Sequence, residues 1–191
     1  MEECRINASD LACRRGDRVL FAGLSLELQG GEACQVVAPN GMGKSSLIRI
    51  IAGLLRPFAG SVERRGMAGL LDERPALDEH QPLGAALDFW HRLDPQAAPL
   101  DQLGLADLTD VPVRYLSTGQ RKRAALARLI GQHAPIWLLD EPLNGLDTRG
   151  VAMVEELVAG HVAKGGLALI ASHQPFALPG LHQLNLADYA R

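Results

Sequence analysis

The Gly-rich turn of this sequence reads Ala38-Pro39-Asn40-Gly41-Met42-Gly43-Lys44-Ser45-Ser46. It joins an apolar segment, Ala33–Val37, to a helix-like segment, Leu47–Leu55. A strand, a Gly-rich turn and a helix in this order form a phosphate cradle, because backbone N–H groups and the positive helix end converge on the anion. Lys44 is then placed to reach the terminal phosphates, and the Ser45 hydroxyl is placed to ligate Mg²⁺. The stretch therefore predicts a polyphosphate-binding loop.

One position of this loop departs from the usual pattern G-x-x-x-x-G-K-[ST], since Ala38 occupies the place of the first glycine. Alanine disfavours positive φ, so we expect a slightly altered turn at this residue. Gly-rich turns before helices are also common for purely structural reasons. The Gly-Lys-Ser-Ser ending and the strand-to-helix context favour the phosphate-binding interpretation.

Composition narrows the class of protein. The chain has 191 residues, of which 47% are hydrophobic and 21% charged, so it fits one globular domain with a sizeable core. A net charge of -3 and a pI near 6.1 argue against a large nucleic-acid footprint, and no nucleic-acid partner is expected. The cysteines, Cys4, Cys13 and Cys34, lack paired spacing and indicate reduced thiols rather than a disulfide frame or a metal site.

We expect neither a signal peptide nor a membrane span in this chain. The amino-terminal residues Met1–Arg5 are acidic and have no apolar core. No apolar run approaches the ~18 residues needed to cross a bilayer. If the protein acts at a membrane, another subunit must supply the span.

Apolar segments alternate with helix-like segments along most of the chain. The predicted strands are Arg18–Phe21, Leu24–Leu28, Ala33–Val37, Gly60–Glu63, Ala68–Leu71, Ile136–Leu139 and Leu167–Ala171. The predicted helices are Ser46–Leu55, Leu83–Leu93, Thr118–Ile130 and Val151–Ala163. From residue 75 to about 130, Pro, Asp and Gln punctuate amphipathic segments, which indicates a mostly helical insertion. Buried strands that alternate with helices indicate an α/β fold with a parallel sheet.

Two carboxylates follow the apolar strand Ile136–Leu139. The carboxyl ends of strands are where α/β sheets place their ligands. Asp140 is placed to hold Mg²⁺ through its waters, and Glu141 is placed to polarise an attacking water, as phosphoryl transfer requires. Strands often end in an acidic turn without any function. Together with the Lys44 loop, however, the pair indicates catalysis of phosphoryl transfer.

A third motif opens the predicted helix Thr118–Ile130. It reads Leu116-Ser117-Thr118-Gly119-Gln120. Ser117 is either a helix N-cap with a capping partner or, with the helix N-terminus, a second anion site. The motif closely resembles the Leu-Ser-Gly-Gly-Gln signature of ATP-binding-cassette (ABC) ATPases, with Thr118 in place of the middle glycine.

The whole chain resembles the ABC family in the order of its motifs. Leu143-Asn144-Gly145-Leu146-Asp147 is similar to the dimer-contacting D-loop, which ends at Asp147 and has Asn144 where Ser is commoner. His173 matches the switch histidine that touches the γ-phosphate. The resemblance thus implies that Glu141 and His173 are catalytic and that Ser45 and Asp140 hold Mg²⁺.

The resemblance also implies a fold and an assembly. The fold would be a single P-loop ABC nucleotide-binding domain over residues 1–191, with an N-terminal antiparallel β patch and the helical insertion. The reaction would be Mg²⁺-dependent ATP hydrolysis. ATP would lie between the Lys44 loop of one chain and the Ser117 helix of another, so a homodimer is implied.

Two positions depart from the family pattern. Arg15 occupies the region of the aromatic residue that stacks on adenine, where its guanidinium either stacks on the base or is a solvated charge. Glu73 occupies the region of the glutamine that links Mg²⁺ to the membrane partner. We expect Glu73 to face that partner, or else to be a solvated loop charge beside Arg74.

Segments between the motifs resemble a narrower group, the ATP-binding subunits of the cytochrome c maturation (haem exporter) ABC complex. They are Cys13–Phe21, Asp88–Arg92, Leu126–Leu129 ahead of Ala134–Asp140, and Gly165-Gly166 ahead of Ala171–Pro175. This resemblance implies transmembrane permease subunits, haem as the handled molecule and a peripheral position on the cytoplasmic face of a bacterial inner membrane. The alternatives are the ATPase of another transporter, of lipid or lipoprotein, and a soluble ABC ATPase acting on nucleic acid or ribosomes, which the acidic balance disfavours.

Overall fold

The computed structural model of the protein describes residues 3–73, 75–93 and 99–191. Its strands are β1 Arg5–Arg15, β2 Arg18–Gln29, β3 Ala33–Val37, β4 Ala59–Arg65, β5 Ala68–Leu71, β6 Ile136–Asp140, β7 Leu167–Ala171 and β8 His182–Asn185. Its α-helices are α1 Lys44–Ile51, α2 Leu83–His91, α3 Thr118–Gly131 and α4 Thr148–Ala163. Short 3₁₀ turns are Ala106–Leu108, Val113–Tyr115 and Leu186–Tyr189. Within the described ranges, no helix combines the length and apolar character that crossing a membrane requires.

The strands form two sheets. Five strands make a parallel sheet in the order β5-β6-β7-β3-β8, and three make an antiparallel sheet in the order β2-β1-β4. The central strands β6 and β7 are buried along their whole length, as expected for parallel strands covered on both faces. Because all five strands run the same way, their carboxyl ends meet at one edge of the sheet.

The two faces of the parallel sheet pack against different partners. Ile136 and Leu138 of β6 belong to the core that includes α1 and the antiparallel sheet. Trp137 and Leu139, the alternate residues, belong to the core that includes α2, α3 and α4. This alternation is the period-two geometry of a strand, in which successive side chains point to opposite faces. The sheet is thereby fixed from both sides, and so is its carboxyl edge.

The α/β class, the parallel sheet and the antiparallel patch are as predicted. The bounds of β3, β5 and β7 match the predicted strands, and the predicted helices of the insertion become α2 and α3. That residues 1–191 form a single domain stays a prediction.

Several details differ from the prediction. Strand β1 was not among the predicted strands, and α4 begins at Thr148, three residues earlier than predicted. The two strands predicted on either side of Ala22-Gly23 are one strand, β2, because Gly23 takes φ 76 and its β1 partner shifts register there without a break in pairing. Helix α1 begins at Lys44 and ends at Ile51, earlier than predicted at both ends. Strand β8 was not predicted. Its residues are mostly exposed, and it extends the sheet by pairing with β3.

The cysteines match their prediction. Cys4, Cys13 and Cys34 are free and buried. Burial raises the pKa of each thiol, and that of Cys34 rises to about 11. A thiol with a raised pKa is protonated at neutral pH and is a poor nucleophile, so these residues serve as small core side chains.

Candidate nucleotide-hydrolysis site

The Gly-rich loop connects β3 to α1 at the carboxyl edge of the parallel sheet. Gly41 and Gly43 take positive φ values of 81 and 104, which glycine adopts without steric cost. A Cβ on Gly43 would also lie 3.2 Å from the Leu20 side chain. Ala38 does not take a positive φ, since the non-glycine residues with positive φ in the described chain are Asp10, His133 and Glu141. The slightly altered turn expected at Ala38 stays a prediction.

Lys44 is the first residue of α1, and its ammonium turns back over the loop. Its Nζ donates to the Ala38 carbonyl at 2.9 Å and to Asn40 Oδ1 at 3.4 Å. It also lies 3.5 Å from Glu141 Oε1. Lys44 is 6% exposed, so its ammonium is largely desolvated and is held by protein oxygen atoms. An anion bound in the loop would compete with Glu141 for it.

Glu141 follows β6 and faces the loop with both carboxylate oxygens occupied. Oε1 meets Lys44, and Oε2 lies 2.9 Å from Nδ1 of His173. The backbone N–H of Glu141 donates to the carbonyl of Ala171 at the end of β7, at 2.8 Å. His173 follows the same strand, so two neighbouring parallel strands bring the acid and the histidine together.

Ser45 and Asp140 form the pair that would hold Mg²⁺. The Ser45 hydroxyl donates to Asp140 Oδ1 at 3.0 Å. Burial raises the pKa of Asp140, the hydrogen bond from Ser45 lowers it, and the like charge of Glu141 raises it further. A nearby cation would reverse this effect, because it favours the ionised carboxylate.

The donor set fits Mg²⁺ bound together with a phosphate. A hydroxyl and a carboxylate are hard oxygen donors, and Mg²⁺ commonly takes only one or two protein ligands beside water and substrate phosphate. Among residues 3–73, 75–93 and 99–191, no group of three or more His, Cys, Asp or Glu is arranged to hold a metal ion. With two oxygen donors, the Ser45–Asp140 pair suits a metal that arrives with the nucleotide.

One cavity of about 500 Å³, the nucleotide cleft, gathers most of the predicted site residues. It is lined by Arg15, Leu20, Asn40, Gly41, Gly43, Lys44, Ser45, Ser46, Glu73, Glu141, Asn144 and His173. Arg15 comes from the end of β1 and Glu73 from the segment after β5, so residues distant in sequence meet here. Both are exposed at the cleft, which leaves open their predicted roles toward base and partner.

The signature residues lie elsewhere. Ser117, Thr118, Gly119 and Asp147 line a separate open groove. Ser117 is also the N-cap of α3: its hydroxyl accepts from the Gln120 N–H at 3.2 Å, and Gln120 Oε1 accepts from the Ser117 N–H at 2.8 Å. This reciprocal capping box is the structural role considered from sequence. The predicted contact with a nucleotide on another chain stays a prediction.

The D-loop packs beside the signature. Asp147 caps α4 by accepting from the Gly150 N–H at 2.8 Å. A Cβ on Gly145 would lie 2.7 Å from Thr118 Cγ2, so Gly145 provides the space that the threonine methyl occupies. The Thr118 departure from the family signature is thus accommodated inside the chain.

Sequence reasoning missed two polar contacts at the cleft. Gln174 Nε2 donates to Asn144 Oδ1 at 3.0 Å, which ties the D-loop to the segment after His173. Lys122 donates to the Glu141 carbonyl from behind the cleft at 3.0 Å. Helical spacing could have indicated Lys122, because it precedes the buried Leu126 by four residues and therefore lies on the inner face of α3.

The fold and the cleft define an ABC-type ATPase subunit. The sequence matches the ABC transporter family over residues 21–144, and the chain belongs to that family. An ABC transporter ATP-binding protein from Pyrococcus furiosus has a TM-score of 0.82, with 20% identity, over 98% of this chain and 100% of its own. An ABC transporter cassette solved in its ADP conformation has a TM-score of 0.71, with 22% identity, over 92% and 83%. At these identities the likeness shows the fold.

Curated relatives give the narrower group. The cytochrome c biogenesis ATP-binding export protein CcmA of Novosphingobium aromaticivorans is 58% identical over 189 residues, which cover 99% of each chain. Proteins of the same name from Sphingopyxis alaskensis and Zymomonas mobilis are 53% and 46% identical, over 91% and 97% of this chain and 92% and 86% of their own. Within the ABC family, the chain belongs with the ATP-binding export proteins of cytochrome c biogenesis, which confirms the predicted resemblance.

Proposed function

We propose that this chain hydrolyses ATP in the nucleotide cleft and thereby energises a membrane complex that handles haem during c-type cytochrome biogenesis. The observation that carries the proposal is the convergence of Lys44, Ser45, Glu141 and His173 on one cavity. These residues supply a phosphate-binding cation, a metal ligand, a base and a group that orients the base, which together are the parts that phosphoryl transfer needs.

The residues of the chain divide the work. The loop N–H groups and Lys44 bind the phosphates, and Lys44 exchanges its contact with Glu141 for the γ-phosphate. Ser45 and Asp140 would hold Mg²⁺, which when bound would neutralise charge on the phosphates. Glu141, released from Lys44, accepts a proton from the attacking water. His173 keeps the Glu141 carboxylate oriented through its Nδ1 and then meets the γ-phosphate.

The second half of the site comes from another copy of the chain. Ser117 is exposed on the groove of the signature and lies outside the nucleotide cleft of its own chain. A helix N-terminus attracts anions, and the Ser117 O–H can donate a hydrogen bond to one, so the α3 end of one chain would close over ATP bound by the other. Two such chains form a symmetric pair with two nucleotide sites, in the same way that closed dimers pair identical surfaces.

Two residues at the rim of the cleft contact the base and the membrane partner. Arg15 stacks its guanidinium on the base, and Glu73 faces the transmembrane permease subunits. The relatives named as export proteins of cytochrome c biogenesis support the assignment of haem as the handled molecule. The chain then sits as a peripheral subunit on the cytoplasmic face of a bacterial inner membrane.

Glu141→Gln tests the hydrolytic step. The amide keeps the shape of the side chain and cannot accept the proton, so turnover should fall about 10²-fold or more. ATP binding should persist, and an ATP-bound dimer should accumulate because the γ-phosphate is not removed. The measurements are phosphate release and size-exclusion chromatography with ATP and Mg²⁺. Near-normal phosphate release would contradict the assignment.

The biological role has a separate test. The membrane subunits that co-purify with the full chain are identified, and haem-stained c-type cytochromes are compared in cells that carry the native chain or Glu141→Gln. We expect permease subunits of cytochrome c biogenesis and a loss of c-type cytochromes with the variant. Co-purification with a lipid or lipoprotein permease, with normal cytochromes, would contradict the haem role and leave the hydrolytic assignment intact.

A further inference from the structure

Lys122 is a buried cation behind the nucleotide cleft. It is 9% exposed, and its Nζ donates to the backbone carbonyl of Glu141 at 3.0 Å. Burial lowers the pKa of Lys122, whereas the nearby carboxylates, Glu73 foremost, raise it. A lysine buried against a backbone carbonyl carries a substantial desolvation cost, so its contact with Glu141 calls for a reason beyond packing.

The backbone conformation of Glu141 explains why Lys122 is buried against its carbonyl. Glu141 has φ 48, in the left-handed region that residues with a side chain seldom adopt, and the next residue is Pro142, which further restricts its conformation. Such a conformation persists only where its surroundings hold it. The Glu141 N–H is held by the Ala171 carbonyl, and the Glu141 carbonyl is held by Lys122.

The direction of a side chain follows from its backbone dihedrals. With its peptide groups fixed on both sides, the Glu141 carboxylate reaches Lys44 at 3.5 Å and His173 at 2.9 Å. Loss of the Lys122 contact would free the carbonyl to rotate, and the carboxylate would move with it. A displacement of about 1 Å at a catalytic group can reduce the rate about 10²-fold.

We propose that Lys122 is a positioning residue for ATP hydrolysis, which fixes the Glu141 carbonyl and thereby holds the Glu141 carboxylate in the nucleotide cleft. This inference rests on the proposed role of Glu141 as the base. Lys122 lies on α3, the helix that Ser117 caps, and α3 is anchored in the core by Leu126 and Leu129. One rigid helix therefore presents the signature to a second chain and steadies the base of its own chain.

The central experiment compares Lys122→Met with the native full chain. Methionine has nearly the same length and lacks both the charge and the donor. We expect kcat to fall at least about tenfold, because the carboxylate loses its fixed position. The Kd for a fluorescent ATP analogue, measured with EDTA to prevent turnover, should stay within about threefold, since Lys122 donates to the Glu141 carbonyl from behind the cleft. Lys164→Met, which removes an exposed lysine, is the matched control and should leave kcat unchanged.

A double variant shows whether Lys122 acts through Glu141. Single-turnover hydrolysis is measured for Glu141→Gln and for Glu141→Gln with Lys122→Met. If Lys122 only positions the carboxylate, the second substitution should change the residual rate less than about twofold, which is non-additivity between coupled residues. An undiminished tenfold loss in the Glu141→Gln background would overturn the proposal, because Lys122 would then act elsewhere.

Lys122→Arg is the second variant, in case the methionine chain does not fold. Its guanidinium donates to the same carbonyl from a wider group, so kcat should fall less than with methionine while the ATP Kd stays unchanged. An arginine variant with native kcat and weakened ATP binding would overturn the positioning role. A native kcat for Lys122→Met, with Glu141→Gln inactive, would overturn the positioning role of Lys122 and leave the role of Glu141 intact. Native turnover of Glu141→Gln would instead contradict the assignment of Glu141 as the base.

Discussion

The two ends of the parallel sheet hold their buried polar groups in opposite ways. At the carboxyl end, Lys44, Asp140 and Glu141 are charged groups in mutual contact or in contact with a neighbouring polar side chain. At the amino end, His161 is 8% exposed and its Nε2 lies between the carbonyls of Pro135 and Leu167, at 3.2 and 3.3 Å. Its ring stacks on Trp137 with centroids 4.0 Å apart.

The difference separates function from stability. Charges at the carboxyl end can exchange partners when an anion arrives, which a catalytic cycle requires. The amino end holds a neutral imidazole between fixed backbone carbonyls, where burial lowers the pKa of His161 to about 4. Substitutions at the first end should change turnover with little effect on folding, and substitutions at the second should do the reverse.

The largest expected effect is at the carboxyl end, in Ser117→Arg. The bulky cation would keep the signature of its own chain from seating on the nucleotide of the other chain, and hydrolysis should fall about 10²-fold or more because the signature no longer reaches that nucleotide. Binding of a fluorescent nucleotide to the monomer should stay almost unchanged, since Ser117 lies outside the nucleotide cleft. An equal loss of monomer binding would place Ser117 in the site of its own chain or in the fold.

Mixing the inactive Ser117→Arg and Glu141→Gln chains is the control for that result. In a mixed dimer, one site combines native Glu141 from the first chain with native Ser117 from the second. Phosphate release should therefore reappear on mixing, provided that mixed dimers form, which differential tags can verify. Mixed dimers without any recovered hydrolysis would contradict the shared site.

The next largest effect is a pH dependence of stability from the amino end. The His161 pKa is lowered from 6.5 to about 4, so between these pH values His161 binds a proton in the unfolded chain and stays neutral in the folded chain. Stability from this residue is fully present above pH 6.5 and is lost as the pH falls towards 4, by on the order of 3 kcal/mol.

Urea unfolding at pH 7.5 and 5.0 measures this dependence. His161→Gln, which keeps an N–H donor, should be less sensitive to the change of pH than the native chain and should hydrolyse ATP normally at neutral pH. The exposed His182→Gln is the matched control and should keep the native sensitivity. Equal sensitivity in the native and His161→Gln chains would show that His161 is not the group responsible.

A smaller effect is expected from the glycine beside His161. A Cβ on Gly166 would collide with the His161 ring, which Trp137 and two carbonyls prevent from moving. Gly166→Ala should cost about 2 kcal/mol of unfolding free energy, the usual range for overpacking. Gly160→Ala, in α4 with no atom within 4 Å of the added Cβ, should instead stabilise by about 0.5–1 kcal/mol. Thermal unfolding compares the two, and equal shifts would contradict the crowding at Gly166.

The smallest effect is at the rim of the cleft, in Glu73→Gln. Glu73 is exposed, so the basal ATPase rate of the isolated chain should stay within about threefold. If Glu73 faces the permease, stimulation by the membrane subunits should weaken, because a charge that pairs across the interface is lost. Both rates are measured on the same preparation, and an unchanged stimulated rate would return Glu73 to a solvated loop charge.

Much of the fold was readable because its determinants are local. The apolar runs of β3, β5 and β7 begin and end where the strands do. The Gly-rich loop is recognisable from glycines that the turn needs at positive φ. The Ser117 cap was readable for the same reason, since a capping box involves residues three apart. The order of these motifs was enough to predict the family.

Edge elements were harder to predict. Strand β8 is short and mostly exposed, and it exists because β3 offers it a row of free backbone groups. The continuity of β2 likewise depends on its pairing with β1 across the shift at Gly23. The local pattern of β8 does not reveal its partner β3, and the local pattern of β2 does not reveal its partner β1.

The sequence by itself determined the Gly-rich loop, the carboxylates after β6 and the signature helix, because each depends on neighbours within a few residues. Tertiary structure decided how Arg15 and Glu73, which the family resemblance assigned to the site, share the cleft with Lys44, and that Lys122 reaches the Glu141 carbonyl. The physical reason is that these meetings require the parallel strands to align their carboxyl ends and α3 to pack against them. Within Arg121-Lys122-Arg123, helical spacing places Lys122 on the inner face of α3, and packing then buries it.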